Sequence, residues 1–278
     1  MGLFDRFRAA GNRHVESERV EDAATRALRL IDEGNAIEET GQLDDALHCY
    51  DAAVSLAPDL ARAHMNRGNI LLARDEAEDA LNAYQRALEL QPDYASAHYN
   101  SGNAHTKLNH HEAACAAYER AIQLKPDFTD AHVALGCAME ELGRPDDAAA
   151  SYRKALELAP DYAEVHCNLG RTLLAPGRQD EAIASFQRSL ELKPDNVDVL
   201  LILGVAQKAR GHLEAAHASL RRANVLSPTN MEILINLGDT CLELGQADGA
   251  LASYRKAIEI EPENAVAYAG LVRAHLAL

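Results

Sequence analysis

Seven of the nine prolines stand at one interval: Pro58, Pro92, Pro126, Pro160, Pro194, Pro228 and Pro262, each 34 residues after the last. A fixed period of that length marks one supersecondary unit copied many times, and it limits the fold to an array stacked on its neighbours. With Ala27 as position 1, seven repeats fill 27–60, 61–94, 95–128, 129–162, 163–196, 197–230 and 231–264 without insertion or deletion. An arm, 1–26, precedes them and a tail, 265–278, follows.

Other positions keep the same beat. Position 8 is Gly in all seven repeats, from Gly34 to Gly238, and position 20 is always Ala, from Ala46 to Ala250. Position 27 is Ala except for Ser189, and position 24 is Tyr50, Tyr84, Tyr118, Tyr152, Phe186, Leu220 and Tyr254. Gly inside a helix costs about 1 kcal/mol against Ala, so position 8 implies close packing of a neighbouring helix. The Ala residues are its small partners, and the aromatic fills the space between. Position 15 is Gly41, Asp75, Asn109, Gly143, Gly177, Gly211 and Gly245. These residue types tolerate the left-handed backbone of a helix C-terminus. Pro at position 32 stops a second helix. The Asp that follows most of these prolines, Asp59 among them, is expected to cap the next helix. Each repeat therefore reads as helix A (positions 1–14), a tight turn, helix B (about 17–30) and a stop.

This pattern resembles the tetratricopeptide repeat family, and the resemblance covers all but the two ends. It implies an all-α, right-handed α-solenoid of seven helix-turn-helix repeats plus a terminal helix. It also implies that helix A lines an inner groove, and that such arrays are protein-interaction scaffolds without chemistry of their own. Two departures are local. Pro176, at position 14 of repeat five, should end that helix A early in a kinked corner. Pro145, at position 17, opens a helix B, where Pro is welcome.

The arm contains Leu3, Phe4 and Phe7 beside Arg6 and Arg8, a short amphipathic stretch. It lacks the apolar core of a signal peptide, and helix A of repeat one is expected to begin early, from about Ser17. The tail reads as one more helix A with a largely apolar surface. Repeat arrays want a polar terminal cap, so this end is a candidate for self-association.

Charge and motifs exclude most chemistry. Lys and Arg number 27 against 43 Asp and Glu, a net charge of −16, which is the wrong sign for a nucleic-acid face. No apolar run is long enough to span a membrane. The five cysteines form no CxxC pair and read as reduced packing thiols, which points to the cytoplasm. His64, His98, His132 and His166 share position 4 of consecutive repeats and read as structural. His111-Glu112-Ala-Ala-Cys115 only approaches a zinc motif. We expect no catalytic residue, metal or cofactor.

The groove is where the sequence becomes specific. If the family geometry holds, positions 2, 5, 6, 9, 12 and 13 face it. Position 6 is Asn66, Asn100, Asn168 and Asn236, and position 9 is Asn35, Asn69 and Asn103. An Asn offers both donor and acceptor, so a row of them suits an extended peptide backbone. The array resembles the Asn-lined repeat domain of O-linked N-acetylglucosamine transferases. The expected peptide-binding residues are Asn66, Asn69, Asn100, Asn103, Asn168, Tyr99, Met65, Arg62 and Arg171. The expected function is a protein-binding scaffold that holds an extended or partly helical segment of a partner. The alternatives are a self-assembling platform joined through the apolar tail, or an accessory that recruits substrates to a separate glycosyltransferase or methyltransferase.

Overall fold

A computed structural model describes residues 22–175 and 177–278. The amphipathic stretch Met1–Arg8, the proposed helix start near Ser17 and Pro176 itself lie outside the described residues. Fifteen helices and no strand are present among the described residues. In chain order they are α1 (Ala23–Glu39), α2 (Leu43–Leu56), α3 (Ala61–Ala73), α4 (Ala77–Leu90), α5 (Ala95–Lys107), α6 (His111–Leu124), α7 (Thr129–Glu141), α8 (Pro145–Leu158), α9 (Ala163–Thr172), α10 (Gln179–Leu192), α11 (Val197–Ala209), α12 (Leu213–Leu226), α13 (Met231–Glu243), α14 (Ala247–Ile260) and α15 (Ala265–Leu276). Odd-numbered helices are the A helices and even-numbered ones the B helices. The chain forms two compact units, Met1–Pro126 and Asp127–Leu278, and each is an all-α repeat solenoid. Within each unit an A helix packs on its own B helix, and that B helix on the next A helix.

The helix pair is locked by its periodic residues. A Cβ built on Gly68 would stand 2.6 Å from Tyr84 Cε1, and one on Gly136 would stand 2.5 Å from Tyr152 Cε1. The position-8 glycines thus let the position-24 ring lie on the bare helix backbone. Ala46, Ala53, Ala80 and Ala87 around those rings are fully buried. Where repeat five puts Ser189 in place of Ala, its hydroxyl is buried and donates to Ala163 O at 2.8 Å. All seven position-15 residues have positive φ, from 59° at Asn109 to 89° at Gly177, so each A-to-B turn closes through the left-handed region.

The junction between repeats differs from expectation. The Asp after the proline does not cap the next helix. The N-cap residue is the one after that, at position 34, because a proline and one further residue are needed to reverse the chain. It is Leu60, Tyr94, Phe128 and Tyr162 in the first four junctions, with no side-chain cap. In the last three it is Asn196, Asn230 and Asn264, whose carboxamide oxygens accept from the backbone N–H three residues on. Asp22 caps α1 in the same way, and α1 starts ahead of repeat one. The displaced Asp residues find another role: Asp161 pairs with Arg188 at 2.7 Å and Asp195 with Arg222 at 3.1 Å. Helix α9 stops at Thr172, earlier in its repeat than the other A helices. Proline at position 176 would clash with the carbonyl of residue 172 in a continuing helix. Pro145 is the first residue of α8, as the sequence suggested.

Candidate functional site

The A helices of each unit form one face, which we call the A face. In the N-terminal unit its floor is a polar ladder. Tyr84 reaches through the repeat from α4 and donates its hydroxyl to Asn69 Oδ1 at 3.0 Å. The same oxygen accepts from Asn100 Nδ2, one repeat on, at 2.8 Å. Tyr50, Asn35 and Asn66 repeat the arrangement, with 2.8 Å for both contacts. With its amide oxygen and nitrogen exchanged, Asn35 also accepts from Arg62 at 3.1 Å; in either orientation it stands between Tyr50 and Asn66. Tyr118 donates to Asn103 Oδ1 at 2.9 Å. Position 9 is therefore a receptacle for the buried tyrosine hydroxyl of its own repeat, and position 6 ties one repeat to the last.

The C-terminal unit applies the same rule with other residues. Tyr152 donates to Glu140 at 2.7 Å and lies 3.3 Å from Cys137 Sγ. Glu140 in turn accepts from Thr172 of the next repeat. Tyr254 donates to Asp239 at 2.7 Å, and Asp239 also pairs with Arg273 at 2.7 Å. Burial, reinforced by these neighbours, pushes the phenols of Tyr152 and Tyr254 well above the ordinary range. Burial raises the Cys137 thiol as well. Two repeats lack the tyrosine. Phe186 and Leu220 stand there, and in those repeats position 9 is Arg171 and Val205, neither of which can accept a hydroxyl.

Each residue singled out by sequence has a definite place. Asn66 is buried, with its amide on Asn35. Asn69, Asn100 and Asn103 are half-buried and share the ladder. Tyr99 is half-buried, its ring centroid 5.8 Å from that of Tyr118. Met65 is half-buried and packs against the core cluster of Leu71, Ala80, Ala83, Tyr84 and Ala104. Arg62 is exposed and pairs with Asp32 at 3.2 Å. Asn168 is half-buried and Arg171 exposed in the other unit. Ile31, at position 5 of repeat one, is fully buried and belongs to the core. The position-4 histidines are structural: His64, His98 and His166 each bond the carbonyl of the preceding stop proline at 2.8–3.0 Å. The sequence reading treated positions 6, 9 and 24 separately and missed their linkage. The signal was available: an Asn or Asp stands at position 9 in four of the five repeats with Tyr at 24.

Models of the tetratricopeptide repeat match this chain across residues 34–75, 68–109, 102–143 and 238–278, with two further repeat models at 133–197 and 197–222. Among solved structures, YrrB, described as a repeat protein with an unusual peptide-binding site, is similar at 28% identity, 66% of this chain, 95% of that chain and a TM-score of 0.61. MamA is similar at 25% identity, with 58% and 94% covered and a TM-score of 0.55. The C-terminal part of a repeat protein from Cytophaga hutchinsonii shares the fold alone, at 14% identity, with 87% and 99% covered and a TM-score of 0.73. No curated protein matches.

Proposed function

Because the chain belongs to the tetratricopeptide repeat family, whose members generally mediate protein–protein contacts, we propose that it is a non-catalytic scaffold holding an extended segment of a partner along its A face. One observation carries the reading: the Asn ladder is only half satisfied by the chain. Asn69 and Asn103 use their carboxamide oxygens internally, and Asn100 uses its nitrogen. The opposite end of each amide has no partner among the described residues. An extended backbone, which needs a donor and an acceptor at each residue, complements such a row. Arg62, Met65, Asn66 and Tyr99 frame it in the N-terminal unit, and Asn168 and Arg171 serve in the other.

The test is partner capture by affinity purification and mass spectrometry. Arg62→Glu with Ser96→Glu changes only exposed A-face positions and is expected to lose partners kept by wild type. Val225→Asp, on the exposed surface of α12, is expected to keep them. Helicity should be unchanged in both. If the A-face pair keeps every partner, or the α12 variant loses them, the A face is not the binding surface.

A second reading rests on α15. Val266, Val272 and Leu276 are 57%, 58% and 83% exposed, an apolar surface that a second copy could cover. Sedimentation of wild type against Val272→Lys tests it; a monomer at all concentrations removes it.

A further inference from the structure

Arg171 is the exception on the A face of the C-terminal unit. The other basic residues at groove positions there are already paired among the described residues. Lys208 bonds Asn236 at 3.1 Å and lies 4.0 Å from Asp239, and Arg273 pairs with Asp239 at 2.7 Å. Arg171 occupies position 9, where the tyrosine-bearing repeats keep an acceptor for the phenol. In repeat five the ring is Phe186, fully buried and without a hydroxyl, so position 9 has no internal duty. Arg171 makes no ion pair or side-chain hydrogen bond among the described residues. Neither does the amide of Asn168, because position 9 of the preceding repeat is Cys137 rather than Asn.

Both residues line a cavity of about 270 Å³ with Glu164, Cys167, Lys193 and Asn196. The unclaimed groups in it are mostly donors, and the one unpaired charge is a cation. Arg171 offers a guanidinium fork and Asn168 an amide. Asn196 has its oxygen committed to capping Val199 at 3.1 Å, which leaves its N–H groups. The one carboxylate, Glu164, is bound by Lys193 and held below the usual carboxylate range by it. A cavity that presents donors around a guanidinium suits a carboxylate, which Arg binds bidentately.

The flanks define what surrounds that carboxylate. Repeat four presents exposed Asp130 and Glu141 at A-face positions, and repeat six presents half-buried Ile202 and Val205 over a buried Leu201. Packed helices lie roughly 8–10 Å apart and an extended chain advances about 3.3 Å per residue, so one repeat spans roughly three ligand residues. Resting on the scaffold reading above, we propose that the cavity at Arg171 captures a carboxylate of the bound segment, with a basic residue about three positions to one side and an apolar residue about three positions to the other. Arg171 then fixes the register of a ligand on the A face of the C-terminal unit.

The experiment selects binders from two synthetic random decapeptide libraries, one capped at both termini and one with a free carboxyl terminus, on wild-type protein and on Arg171→Gln. Wild type is expected to enrich peptides with Asp or Glu, or with a free terminus, beside an apolar residue at the stated spacing. The two libraries tell a side-chain carboxylate from a terminal one. Arg171→Gln should still select peptides but lose the acidic preference. For a selected peptide, neutralising that carboxylate (Asp→Asn, Glu→Gln or terminal amidation) should weaken binding about tenfold to wild type and less than twofold to Arg171→Gln, read by fluorescence anisotropy. Peptides selected without a carboxylate, or an acidic preference that survives Arg171→Gln, overturn the assignment while leaving the scaffold reading intact. A wild-type protein that selects no peptides from either library overturns both.

Discussion

At the scale of single residues, the fold depends on contacts that admit no added atom. Gly to Ala in a helix ordinarily stabilises by about 1 kcal/mol. At Gly68 the new methyl would stand 2.6 Å from the Tyr84 ring, which is fully buried and cannot retreat. Overpacking of this kind costs about 1–3 kcal/mol, so Gly68→Ala is expected to destabilise, measured by urea unfolding. The tyrosine opposite has a second duty in its hydroxyl, which fixes Asn69 and through it Asn100 of the next repeat. The residues that lend the A face its polarity thus also hold the repeats in register, and substitutions at Asn66 or Asn100 are expected to lower stability.

At the scale of elements, one junction is closed by two different devices. Repeats two, three and five use a position-4 histidine that bonds the stop proline's carbonyl, beside an apolar residue at the N-cap. Repeats six and seven and the tail use an Asn N-cap, with Leu200, Leu234 and Tyr268 at position 4. Replacing Asn230 by Ala removes the only side-chain cap of α13 and is expected to cost about 1 kcal/mol, read as a lower midpoint in urea. Helices and turns were legible in the sequence because Gly, Pro and left-handed residues act locally and recur at fixed positions. The cap was misplaced by one residue because Asp after Pro and Asn before the helix look equally suitable without the backbone path. The Asn–Asn and Tyr–Asn bonds were not legible position by position, since they join residues 31 and 15 apart on different helices.

At the scale of the whole molecule, the repeated tyrosines make alkaline pH the weak side. The phenols of Tyr50, Tyr84, Tyr152 and Tyr254 are all held above the usual range, chiefly by burial. An unfolded tyrosine ionises near pH 10. A raised folded value means that the stabilisation is complete below that pH and is lost as pH rises beyond it. The expected result is loss of helicity above about pH 10 in step with phenolate absorbance at 295 nm; full phenolate absorbance with helicity intact would contradict it. The same tyrosines bear on how such arrays diversify. Where position 9 is the acceptor of the phenol, as at Asn69, Asn103 and Asp239, deleting a single oxygen, Tyr to Phe, frees hydrogen-bonding capacity on a polar side chain without disturbing the ring that packs the repeat. Repeat five has no such oxygen, and its Arg171 stands open. Repeats two, three and seven keep contacts of the same kind, so new specificity in this scaffold can arise by subtraction from the core rather than by addition to the surface.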